Sequence, residues 1–455
     1  MGSQNKNTGN LFLVTALVLF MSSIVFGFLS SLIYRYPEFL KDSIGLSGLR
    51  PMHVTAAIFW ILLAATGVIY RSLEAPANQS KLGLLPWLHW ILWVIALIGI
   101  YYSYAVGSFG GREYWEYPPV FALLIGIAWI LFLIAFIVRI KSIKKWPVYV
   151  WMWLTGIVYF LFIFIENYLW VIPYFRESFV KDMVIQWKAA GSIVGAYNML
   201  VYGTAFYVME HISKQANTGF NKWAFALFFL SLFNMLFNWG HHLYLVPTNP
   251  GIHYVGYLVS MTEWVFFIKI IYNWKKQITE AETHFHYFPY RFLLAANFWM
   301  FFNLTLALFM SIPVINLYMH GTHFITAHAM GTTIGINTMI LLAAVFYFLV
   351  PKKEHHQSRL LKAGFWGVQI SLLIFLIALM GMGLTKSLWF FEEPQAPFFE
   401  MMARSKFWII LFIFSGTSLM ISFFLLVIPL FVHPFRQKPV SLKRIYKNES
   451  THQKT

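Results

Sequence analysis

Apolar positions along the chain gather in long unbroken runs, with neither the alternation of strands nor the one-sided stripe of surface helices. The runs cover about 11–33, 52–70, 86–105, 119–140, 147–170, 188–209, 222–243, 254–273, 292–312, 323–350, 363–384 and 406–432. Each is near the roughly 20 residues that a helix needs to cross the hydrocarbon core. The pattern predicts an all-α, polytopic membrane protein of about twelve transmembrane helices, organised as a single domain over 1–455. The longest polar segments lie near 171–187, near 385–405 and after His433. The first run is too long for a cleaved signal peptide and lacks a small-residue cleavage site. No internal repeat is present.

Composition sharpens this. The chain of 455 residues is 59% hydrophobic and only 11% charged, which excludes a soluble enzyme, a disordered chain and a fibrous one. A net charge of +16 raises the question of nucleic acid, and topology answers it. With a cytoplasmic N-terminus, about 23 of the 33 Lys and Arg residues fall at that terminus, in the loops after even-numbered spans, or in the tail 434–455. The asymmetry predicts that both termini are cytoplasmic, that the basic tail lies against anionic lipid, and that nucleic acid is not a partner. The chain has no Cys. Thiolate metal sites, iron–sulfur clusters and covalent c-type haem are therefore excluded within it.

The polar residues left inside the runs are few. His53 stands where span 2 enters from the outside, His241 and His242 where span 7 emerges there, and His328 in the first turns of span 10. One such His is as well explained by a bond to a neighbouring helix. Four at a common depth on three helices point to a metal centre, because neutral imidazole is the commonest metal ligand and ionisable groups at this depth are usually functional. Haem and non-haem iron or copper are the candidates left without Cys. Glu166 in span 5 and Glu263 in span 8 are the two acids well inside spans. The plain reading of each is a protonated carboxyl bonded to a neighbouring helix. Glu263, at about the depth of the histidines, is also a candidate metal ligand or proton-delivery group. Lys188, Lys269 and Lys386 lie near span ends and are expected to snorkel.

Several motifs taken in order resemble the haem–copper oxidase superfamily, in particular the large catalytic subunit of bacterial nitric oxide reductase. They are Arg50-Pro51-Met52-His53, Gly111 through Pro118 with Glu113 and Glu116, Gly240-His241-His242-Leu243-Tyr244, Ser260-Met261-Thr262-Glu263, and His320-Gly321-Thr322-His323 followed by Thr326-Ala327-His328. The resemblance covers nearly the whole chain. It implies a subunit I-like bundle in a bacterial cytoplasmic membrane, with two b-type haems and one non-haem metal, iron rather than copper. It implies His53 as a low-spin haem ligand, His328 as the high-spin haem ligand, His241 and His242 on the non-haem metal, and Glu116 at a calcium site. A membrane-anchored c-type cytochrome subunit would supply electrons, and nitric oxide would be the substrate.

Two positions depart from the family pattern. Gly191 stands where a third non-haem metal His is expected, and Met330 where the second low-spin haem His is expected. A thioether still binds haem iron and raises its potential. For the non-haem metal, Glu263 is the first candidate for a further ligand. Asn198 is a second, against the plainer reading of an interhelical hydrogen bond. The function expected is a divergent nitric oxide reductase. The alternatives are oxygen reduction or nitric oxide dismutation on the same frame, a non-catalytic haem protein that binds gas or relays electrons, and a transporter, against which the His pattern argues.

Overall fold

The computed structural model describes residues 2–73, 83–215, 218–237, 239, 249–350, 358–393 and 395–432. Among these the chain is helical almost throughout. The long helices are α1 (Gly2–Ile33), α2 (Gly45–Ser72), α3 (Leu85–Ala105), α4 (Val120–Ile140), α5 (Val148–Asn167), α7 (Phe179–Ser213), α8 (Lys222–Phe237), α9 (Pro250–Gln277) and α11 (Tyr287–Ser311). They are followed by α13 (His323–Met330), a π-helical segment (Gly331–Thr338) and α14 (Met339–Leu349), which form one span, and then by α15 (Arg359–Glu392) and α17 (Lys406–Val427). Short helices α6 (Pro173–Arg176), α10 (Glu280–Phe285), α12 (Pro313–Met319) and α16 (Phe398–Arg404) sit in the connections. Prolines 86, 173, 250 and 313 occupy first turns, where their missing N–H is no loss. α10 starts on a reciprocal capping box between Thr279 and Glu282.

Among the described residues nine helices are long and apolar enough to cross a membrane. The other three expected spans are present as helices α7, α8 and α9. α8 has 16 residues before the described chain is interrupted. The chain is thus a multi-pass membrane protein. Two boundaries differ from expectation. α7 begins at Phe179, inside the segment expected to be a polar loop, because Asp182 in its first turn meets the positive helix end. α15 runs on to Glu392, past the expected end at 384.

Burial orders the bundle. The span of α2 and the span His323–Leu349 are each 83% buried in their apolar windows, against 33% for α3 and α17. These two are apolar on every side because protein surrounds them. Neighbouring pairs are α1 with α2, α15 with α17, α5 with α7, α3 with α4, α11 with α14, and α8 with α9. The two central spans are also the two that carry His53, His328 and Met330.

Candidate haem and metal centre

His53 is positioned by α1. Its Nδ1 lies 2.7 Å from the Ser23 carbonyl oxygen, with the Ser23 hydroxyl 3.3 Å away. An acceptor at 2.7 Å places the proton on Nδ1, which leaves Nε2 with a free lone pair, the tautomer that a metal-binding imidazole needs. Gly27 makes room for the ring. A Cβ there would stand 2.8 Å from both Cε1 and Nδ1 of His53. Gly27→Leu is therefore expected to push the imidazole out of line and remove a low-spin haem band from the optical spectrum, while the helical circular dichroism is unchanged. An unaltered spectrum would show that His53 needs no such clearance.

On the second central span, His328 and Met330 are two residues apart, roughly 200° around a helix, so they face opposite sides of α13. The Nδ1 of His328 is buried and lies toward the Asn303 backbone of α11, but closes no hydrogen bond. Both side chains are half-buried inside the bundle. α13 packs on α11, α12 and α15, whereas α2 meets the lower part of the span, at the π-helical segment and α14. The contact at that level includes a hydrogen bond from Trp60 Nε1 to Thr338 Oγ1 (3.1 Å). The donors fit a haem iron: an imidazole with its distal nitrogen free on α2, and an imidazole and a thioether on opposite faces of the facing span.

The loop between α3 and α4 folds over the outer end. Gly110 N–H and Gly111 N–H both reach the Glu116 carbonyl oxygen (3.0 and 3.3 Å). The Glu116 carboxylate accepts from Arg50 Nη1 at 3.1 Å, while Arg50 Nη2 is 3.5 Å from Glu113. The second Glu116 oxygen, Oε2, is buried without a hydrogen-bond partner. Burial raises the Glu116 pKa above the usual carboxylate value, and Arg50 opposes the shift. Arg112 holds Asp182 of α7 through two bonds of 2.8 and 3.0 Å and stacks 4.6 Å over the Trp170 ring.

The expected non-haem site is only partly within the described residues. His241 and His242 lie outside them, as does the side chain of Glu263, whose backbone belongs to α9. Gly191 is buried in α7. Asn198 Oδ1 accepts from Asn337 Nδ2 of the π-helical segment at 3.2 Å, the interhelical bond that competes with a ligand role. Glu166 does bond a neighbouring helix, and its partner there is Lys188, which turns to it instead of snorkelling. The two form an ion pair across α5 and α7 at 2.5 Å. Lys386 donates to the Gly321 carbonyl (2.7 Å) instead of extending outward. Ser23, Gly27, Asn303 and Thr332 hold His53 and the His328 backbone in place and escaped sequence reasoning. Only the glycine had a signal, four residues after a serine on a helix otherwise rich in bulky side chains.

Comparison with known proteins agrees with this architecture. The profile of the family described as cytochrome c and quinol oxidase polypeptide I matches residues 7–418. Cytochrome c oxidase subunit 1 of Rhodobacter capsulatus is 23% identical over 383 residues, covering 79% of this chain and 71% of the relative. A nitric oxide reductase subunit of Stutzerimonas stutzeri is 21% identical over 427 residues, 86% of each chain. A solved haem–copper terminal oxidase dimer superposes with a TM-score of 0.70 at 14% identity, covering 96% of this chain and 85% of the other. A bundle whose two most buried spans carry the imidazoles and the thioether, matched by that profile over most of its length, belongs to the cytochrome c and quinol oxidase polypeptide I family, within the haem–copper oxidase superfamily.

Proposed function

We propose that the protein is a nitric oxide reductase, converting two nitric oxide molecules, two electrons and two protons into nitrous oxide and water. The sequence feature that carries this reading is Glu263. In the sequence a carboxylate follows the His241–His242 pair by 21 residues, and a carboxylate ligand favours iron over copper. The similarity to a nitric oxide reductase subunit over 86% of both chains supports it.

When bound, two b-type haems and a non-haem iron supply electron transfer and the reducing site. His53 Nε2 and the Met330 thioether would hold the low-spin haem. His328 would hold the high-spin haem on the opposite face of α13. His241, His242 and Glu263 would hold the non-haem iron, with Asn198 the alternative further ligand. The Ser23 carbonyl keeps the His53 proton on Nδ1 and so keeps Nε2 available. Glu263 would also pass protons to the reacting oxygen. The Glu116 Oε2, buried and unpartnered, is the acceptor that a calcium ion would satisfy. A melting temperature insensitive to chelator would argue against calcium there.

With no Cys for a c-type haem in this chain, a membrane-anchored c-type cytochrome is the electron donor proposed, and the bacterial cytoplasmic membrane with both termini inside is the proposed location. Glu263→Gln tests the reading. Loss of a proton-transfer group costs about 100-fold or more, so nitrous oxide formation should fall by that factor while both haem bands persist. Unchanged nitrous oxide formation in the variant, or a parent that turns over oxygen and not nitric oxide, would contradict it.

A further inference from the structure

The span that carries His328 and Met330 changes register immediately after them. From Gly331 to Thr338 its backbone is π-helical, a rare conformation that concentrates at functional sites. Each π turn holds about one more residue than an α turn, which rotates what lies above against what lies below by roughly 100°. The segment is fastened to three neighbours. Trp60 of α2 donates to Thr338, Asn337 donates to Asn198 of α7, and Asn303 Nδ2 of α11 donates to Thr332 Oγ1 at 2.7 Å. Its own hydroxyls also donate to carbonyls of the same span. Thr332 Oγ1 donates to the His328 carbonyl at 3.2 Å, Thr333 Oγ1 to the Ala329 carbonyl, and Thr338 Oγ1 to the Thr333 carbonyl at 2.8 Å.

Hydroxyl bonds to a carbonyl four residues back occur elsewhere in this bundle, at Thr66, Ser72 and Thr204, and are ordinary in membrane helices. Thr332 differs because it is held from a second helix. Asn303, a buried side chain, donates to the same hydroxyl that grips the His328 backbone. Gly331 makes this approach feasible, since a Cβ there would lie 2.4 Å from Asn303 Oδ1.

We propose that Asn303 and Thr332 form a positioning relay, from α11 through the Thr332 hydroxyl to the His328 carbonyl. The relay fixes the turn from which His328 and Met330 project to opposite sides. This rests on the reading of His328 and Met330 as haem ligands. Asn303 and Thr332 act through the backbone of the ligands, in the manner of outer-shell partners whose loss costs about 10- to 100-fold in affinity or activity.

The test uses the full chain purified in detergent, comparing Thr332→Val, Thr332→Ser, Asn303→Leu and the double variant Thr332→Val/Asn303→Leu. The readouts are the optical spectrum and the rate of haem transfer to an apo-globin acceptor. Thr332→Val keeps the shape and removes the hydroxyl, so haem loss should quicken by about 10-fold with altered bands, while Thr332→Ser behaves as the parent. Asn303→Leu should match Thr332→Val, and the double variant should be no worse than either, as for two members of one network. Should Thr332→Val not accumulate, Asn303→Ser, too short to reach Thr332, carries the same expectation. Parental haem retention and spectrum in Thr332→Val, or fully additive losses in the double variant, would overturn the relay. A parental spectrum in His328→Ala would overturn the ligand reading itself, and the relay with it.

Discussion

His328→Ala is expected to abolish nitric oxide reduction and to leave a protein with a single, low-spin haem. The imidazole projects from α13, in one of the two most buried spans, and its Nδ1 makes no hydrogen bond to the protein. Its removal costs the packing of one half-buried side chain, about 1–3 kcal/mol. A bundle of this size survives that. The chemistry does not, because no other described His stands on that face of α13. Pyridine haemochrome analysis should give half the parental haem per chain, with the low-spin bands retained. Full haem content in His328→Ala would mean that the high-spin haem is held by another residue.

Met330→His carries the second large effect. A thioether stabilises the reduced haem and raises its potential, whereas bis-imidazole ligation lowers it. The side chains are similar in reach, and Met330 is half-buried, so the wider imidazole finds room without rebuilding α13. A drop in the low-spin midpoint potential on the order of 0.1 V is expected, within the roughly 0.8 V that axial ligands command. Redox titration monitored at the low-spin band measures it. An unchanged midpoint would exclude Met330 from the iron. The physiological consequence follows from the sign. On the proposed ligation, an entry haem with Met330 on its iron suits a donor of high potential, and the substitution should slow electron entry from such a donor.

The bundle was legible in the sequence because a membrane helix must be long, apolar and internally hydrogen-bonded. That constraint writes itself along the chain as runs, and it exposes His53 and His328 as exceptions within them, whereas Met330, itself apolar, stands out only through the resemblance. What escaped notice depends on contacts between sequence-distant groups. The Ser23 carbonyl that orients His53 leaves no trace, since every residue has one. The pairing of Glu166 with Lys188 is fixed by α5 lying against α7, and periodicity does not say which helices are neighbours. The π-helical segment has Thr332, Thr333 and Thr338 donating to carbonyls of its own span, yet Gly-Thr-Thr-Ile-Gly-Ile-Asn-Thr reads equally well as an ordinary small-residue helix face. The early start of α7 was hidden by Lys181, Asp182 and Lys188, which mimic a loop by composition while forming ion pairs and ring contacts with α5, α6 and the outer loop.

The proposed centre joins two haems to one non-haem iron and reduces nitric oxide. Its most direct test is a metal and gas measurement on one preparation: iron and haem counted per chain, followed by anaerobic addition of nitric oxide to the reduced protein with nitrous oxide read in the headspace. Two haems, one further iron, and one nitrous oxide released for every two nitric oxide consumed are expected. Two haems with no further iron and no nitrous oxide would contradict such a centre.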